Sequence, residues 1–101
     1  MRLLHIDNDE IFSAKIKKIV EDNDVVYISA DSYEKAGEII TGIKIDLVII
    51  TEQMDGVSCK AFIEKLKLEK STLTPVIVIS EDHSDEKKSV YFDMGIMSYL
   101  T

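Results

Sequence analysis

The sequence predicts an α/β domain: a doubly wound parallel sheet of five strands, with helices on both faces. Two patterns carry that expectation. Short apolar runs alternate with amphipathic stretches, as repeated βα units require. One run, Leu47 to Ile50, is apolar at every position, which suits a central parallel strand covered on both sides.

The elements follow in order. Leu3 to Ile6 is the first strand. Between Asp9 or Glu10 and about Asp22, Phe12, Ile16, Ile19 and Val20 recur at helical spacing. Asn23-Asp24 breaks that helix, and Val25 to Ile28 reads as the second strand. Asp31 or Ser32 caps a second helix, with Glu34 placed to reach back and Tyr33, Ala36, Ile39, Ile40 and Ile43 forming its apolar face. Gly42 helps to end it. After the third strand a loop through Asp55-Gly56 leads into a helix near Ser58, with Ala61, Phe62, Leu66 and Ile63 facing inward. Pro75 heads the fourth strand, where only its first backbone donor is lost. The last helix, from about Ser84 to Asp93, has the weakest apolar periodicity and stops at Gly95. Tyr99 and Leu100 make the fifth strand.

The 101 residues support one domain, taken as 1–101, with enough chain to bury a core unaided by metal or disulfide. The chain is 46% hydrophobic and 31% charged, which fits a globular rather than a disordered chain. A net charge of −7 argues against direct nucleic-acid contact, which rests on Lys and Arg. It also disfavours anionic membranes. The single cysteine, Cys59, has no intramolecular partner, and no Cys/His spacing suggests zinc. With neither a signal peptide nor a membrane span evident, a cytoplasmic location is expected.

Four segments in succession resemble the receiver domain of two-component response regulators, the CheY-like variety of the flavodoxin-like fold. They are Leu3-Leu4-His5-Ile6-Asp7-Asn8-Asp9, Ile45-Asp46-Leu47-Val48-Ile49-Ile50-Thr51, Thr74-Pro75-Val76-Ile77-Val78-Ile79-Ser80 and Gly95-Ile96-Met97-Ser98-Tyr99-Leu100-Thr101. The resemblance implies strand order 2-1-3-4-5, with a crevice between strands 1 and 3 where that order switches. Asp7, Asn8, Asp9, Thr51 and Ser80 then fall at carboxyl ends of strands beside it. Receivers close with a fifth helix after a lysine, and here that helix is expected beyond residue 101.

In that family an aspartate ending the third strand accepts a phosphoryl group from phosphohistidine. Carboxylates hold Mg²⁺, while a hydroxyl and a lysine steady the phosphoryl oxygens. Mapped residue by residue, Asp7 and Asn8 take the acidic-pair positions, a degenerate metal site. Thr51 takes the acceptor position, Ser80 the switch hydroxyl and Tyr99 the aromatic switch. Asp55 stands where proline is common. Thr51 has no carboxylate and its hydroxyl needs a base to attack, so it is expected to hydrogen-bond Ser80 or Asn8 instead. No catalytic residue and no cofactor are expected, with Mg²⁺ binding weak at most.

The expected function is that of an atypical, degenerate receiver in two-component or phosphorelay signalling, not an enzyme. It would act through an effector domain, a partner protein or a histidine kinase. The expected homodimer interface is Tyr91, Met94, Met97 and Tyr99. A second resemblance competes: Asp7-Asn8-Asp9 is similar to the Asp-x-Asp opening of haloacid-dehalogenase phosphatases, with Asp7 as nucleophile and Asp9 as acid/base. Glu10 and Ile11 depart from that motif, and the chain is short for its later lysine and acidic elements. A third alternative is a receiver phosphorylated at a non-standard residue. Asp46 begins its strand at the wrong end of the sheet, and Asp55 comes four residues late.

Overall fold

The computed structural model describes residues 1–70 and 74–101. Its order is β1 (Arg2–Ile6), α1 (Glu10–Asp22), β2 (Val26–Ala30), α2 (Tyr33–Gly42), β3 (Leu47–Thr51), β4 (Gln53–Met54), β5 (Val57–Ser58), α3 (Lys60–Lys70), β6 (Val76–Ile79), α4 (Asp85–Asp93) and β7 (Ser98–Leu100). Five parallel strands form one sheet in the order β2-β1-β3-β6-β7. Counting main-sheet strands only, this is the 2-1-3-4-5 order that the sequence predicts.

Side-chain alternation gives the sheet two unequal faces. On one, the register rows Leu4–Val48–Val76 and Ile6–Ile50–Val78–Tyr99 are buried throughout. They join Ala36 and Ile40 of α2, Ile63 and Leu66 of α3, and Tyr91 of α4 in a single core. On the other face, the row His5–Ile49–Ile77–Ser98 is fully buried only at His5. Helix α1 packs there, with the Phe12 ring edge-on to His5 at 5.9 Å between centroids. None of its residues is fully buried, and Ile19, expected inward, is exposed. Right-handed crossovers explain the asymmetry, since only the step back from β1 to β2 sends its helix to this side.

The N-caps fall where the sequence places them, but with Ser32 as the cap of α2 the reach-back position belongs to Lys35 and not to Glu34. Asp9 accepts the Phe12 N–H at the start of α1, and Ser32 accepts the Lys35 N–H at the start of α2. Ser84 does the same for Lys87 in α4. Gly95, at φ 86°, takes the left-handed turn after α4.

Two local expectations need correction. The stretch through Asp55-Gly56 is a two-residue hairpin between β4 and β5 rather than an irregular loop. Asp55 and Gly56 have φ of 51° and 78°, the paired positive values that make Asp-Gly a preferred tight hairpin turn. The Tyr33 hydroxyl braces it, lying 3.0 Å from the Thr51 carbonyl and 3.3 Å from that of Val57. In α3, Ala61 is exposed and Phe62 half-buried, while Cys59 takes the inward place just before the helix. Among the described residues, no helix is long and apolar enough to cross a membrane.

Candidate functional site

At the carboxyl ends of β1, β3 and β6 lies an open cleft of about 840 Å³. Five carboxylates (Asp7, Asp9, Glu52, Glu81 and Asp82) and one ammonium, Lys87, line it, with Asn8, Thr51 and Ser80. The sheet thus gathers Asp7, Asn8, Asp9, Thr51 and Ser80, as the strand order requires.

The polar groups are engaged with one another. Asp7 Oδ1 accepts the Asp9 N–H at 3.0 Å, a local turn that starts α1. Asn8 donates to Asp55 Oδ1 at 3.4 Å, tying the first loop to the hairpin. Thr51 is half-buried and pairs with Ile79 in the ladder. The partners expected for its hydroxyl are engaged elsewhere: Ser80 donates to Glu52 and Asn8 to Asp55.

Glu52 is the residue that sequence reasoning missed. It follows Thr51, so alternation turns its side chain to the buried face, where it is 5% exposed. Its backbone is held on both sides: its N–H donates to the Ile79 carbonyl at 2.8 Å and its carbonyl accepts the Cys59 N–H at 2.9 Å. Three donors meet its carboxylate. The Tyr91 hydroxyl donates to Oε2 at 2.8 Å, while the Ser80 hydroxyl and the Lys87 ammonium each reach Oε1 at 3.2 Å. A buried carboxylate persists only with such compensation. The Glu52 contact is the main reason that the Lys87 ammonium is held above its ordinary pKa.

The neighbouring loop is ordered by the same groups. Ser80 Oγ also accepts the Asp82 N–H at 3.0 Å, and Asp82 Oδ1 accepts the Ser84 N–H at 2.8 Å. Tyr99 is buried, its ring 5.8 Å from that of Tyr91 and its hydroxyl donating to the Asp82 carbonyl at 2.8 Å. The interface expectation is therefore corrected at two places: Tyr91 is wholly buried and Tyr99 nearly so, filled inward by core packing. Met97 is exposed and Met94 half-buried. Burial pushes the Cys59 thiol up to about 11, which makes it a packing group rather than a nucleophile.

His5 lies under the crevice and is 1% exposed. Its Nδ1 is 2.8 Å from the Tyr27 hydroxyl, which itself donates to the Ser13 carbonyl. A phenol has one proton, so the ring then donates from Nδ1. That leaves Nε2 without a hydrogen bond, 3.7 Å from Asp7 Oδ2. Burial lowers the His5 pKa, and the Asp7 charge opposes this only in part. The folded state therefore binds less proton than the unfolded one below the ordinary value of 6.5, and stability rises with pH there. This contribution is present above 6.5 and is lost as pH falls through the lowered folded value. Urea midpoints at pH 7.5 and 5 (about one unit or more either side of the ordinary histidine value) should fall further for the wild-type chain than for His5→Phe. Equal falls would remove His5 as the cause.

Comparison with known proteins accords with this geometry. The family model for the response regulator receiver domain matches residues 3–101. The chain belongs to that family. Among solved structures, the receiver domain of Francisella response regulator 1452 is 26% identical, with a TM-score of 0.90 over 99% of this chain and 82% of that one. The Vibrio cholerae chemotaxis protein CheY4 is 17% identical, with a TM-score of 0.90 over 99% and 84%. An orphan response regulator of H. pylori is 21% identical, with a TM-score of 0.87 over 99% and 80%. No curated protein sequence matches.

Receiver chemistry implies Mg²⁺, and of the mapped positions Asp7, Asn8 and Thr51 the first alone carries a carboxylate here. Magnesium asks for several oxygen ligands in near-ideal octahedral geometry. One Asp7 oxygen is taken by the Asp9 N–H, Asn8 donates to Asp55, and Thr51 is neutral. Among the described residues, no three His, Cys, Asp or Glu side chains are grouped to hold a metal ion.

Proposed function

We propose that this receiver is atypical: it serves two-component or phosphorelay signalling through protein–protein contact, without conventional aspartyl phosphorylation and without using Mg²⁺. The observation that carries this reading is Thr51, half-buried at the end of β3, where phosphoryl transfer needs a carboxylate. A neutral hydroxyl needs a base before it can attack, and among the described residues that line the cleft Lys87 is the one ammonium set against its five carboxylates. The partners are an effector domain, a histidine kinase or a second copy of the chain. Val90, Phe92 and Met97 on and after α4 supply exposed apolar contact for them. Net charge of −7 argues for protein rather than nucleic acid as the partner.

Incubation with acetyl phosphate and Mg²⁺, followed by intact mass measurement at neutral pH, should leave the chain unmodified. Gain of one phosphate, mapped to Thr51, Asp7 or Glu52, would overturn the reading and favour a receiver phosphorylated at a non-standard residue.

A further inference from the structure

We infer that Glu52 is a built-in anionic latch: its carboxylate draws the Ser80 hydroxyl, the Tyr91 hydroxyl and the Lys87 ammonium together, and so fixes α4 and the Tyr99 ring in one arrangement with no modification of the crevice. This rests on the reading of an unphosphorylated receiver and supplies what would hold its signalling face in place.

The geometry of α4 supports it. Lys87 and Tyr91 are four residues apart, so both project from one side of the helix, toward the end of β3. One carboxylate receives both, at 3.2 and 2.8 Å, and takes Ser80 from the end of β6. Three donors on two elements thus converge on a group whose own backbone is pinned to Ile79 and Cys59. Lys87 is also 3.6 Å from Asp82 Oδ2, which ties the loop to the same cation.

Tyr99 is bound into this set from both ends. Its ring packs on Tyr91, and its hydroxyl holds the Asp82 carbonyl, two residues after Ser80. Displacing α4 would strand a buried carboxylate with its donors withdrawn, and that desolvation cost opposes the alternative arrangement. An anion delivered from outside could bias such an element reversibly. Glu52 is covalently part of the chain and does so permanently.

Amide hydrogen exchange on the chain, with no phosphodonor present, tests this in Glu52→Gln, Lys87→Met and the double variant. Protection at α4 and Ser98–Leu100 should fall about tenfold in each single variant, while α2 keeps its wild-type protection. The double variant should fall no further than the larger single effect, since both changes open the same latch. Lys87 is partly exposed, so Lys87→Met carries the test if Glu52→Gln does not fold. Unchanged α4 protection in the variants that fold would overturn the latch. So would an equal loss across α2 and α4, which would make Glu52 a general stabilising residue. A phosphate found in the crevice would remove the proposed function without altering this result, because the exchange is measured on unmodified protein.

Discussion

Tyr91→Phe, the deletion of one oxygen atom, should destabilise the chain by about 2 kcal/mol, as hydrogen bonds to charged groups contribute roughly 1.5–3 kcal/mol. The ring is wholly buried and fits equally well as phenylalanine, so packing is retained. What is lost is the shortest of the three contacts to Glu52, at 2.8 Å, along with weaker contacts to Ser58 and Cys59. Water has poor access to replace it at a carboxylate so buried. Tyr27→Phe is the matched control. Its hydroxyl is only part-buried and meets neutral partners, His5 and Ser13, so about 1 kcal/mol is expected. Urea unfolding with unchanged denaturant slope measures both. A Tyr91→Phe loss no greater than that of Tyr27→Phe would mean that the Glu52 carboxylate does not depend on this hydroxyl.

The same residue shows what the sequence could and could not disclose. The strands were legible because burial on both sides, or on one, leaves an apolar record in Leu47 to Ile50 and Val76 to Ile79. The crevice residues followed from strand order alone. Helix α4 read poorly for a physical reason: its inward side presents Lys87 and Tyr91 to a buried anion, so its polar and apolar positions do not separate. Glu52 itself looks like the first polar residue after an apolar strand, which is ordinarily the start of a solvated loop. Only the parity of the strand, carried one residue past Thr51, could have turned it inward. Analogy with a family interface puts Tyr91 and Tyr99 at the surface, whereas core packing claims both. The hairpin does leave a signal in the sequence, since Asp-Gly is a strong short-range turn former.

Neighbouring isoleucines in β3 should differ sharply, because the two faces of the sheet are covered so unequally. Ile50 is fully buried between Ile6 and Val78, on the face closed by α2, α3 and α4. Its truncation to alanine loses the transfer energy of the side chain and leaves a cavity, at about 3–4 kcal/mol. Ile49 sits between His5 and Ile77 on the opposite face, where α1 is the covering helix and Ile49 is half-buried. Water already reaches part of it and can fill the space left behind, so Ile49→Ala should cost about 1–2 kcal/mol. In a domain with roughly 5–15 kcal/mol in total, that gap separates a damaged chain from a nearly normal one. Urea midpoints at low protein concentration read it directly. If instead Ile49→Ala costs as much as Ile50→Ala, this face is covered in solution. Repeating the measurement at rising protein concentration then identifies the cover: a cost that grows with concentration means a second copy of the chain, because mass action stabilises only the associated state.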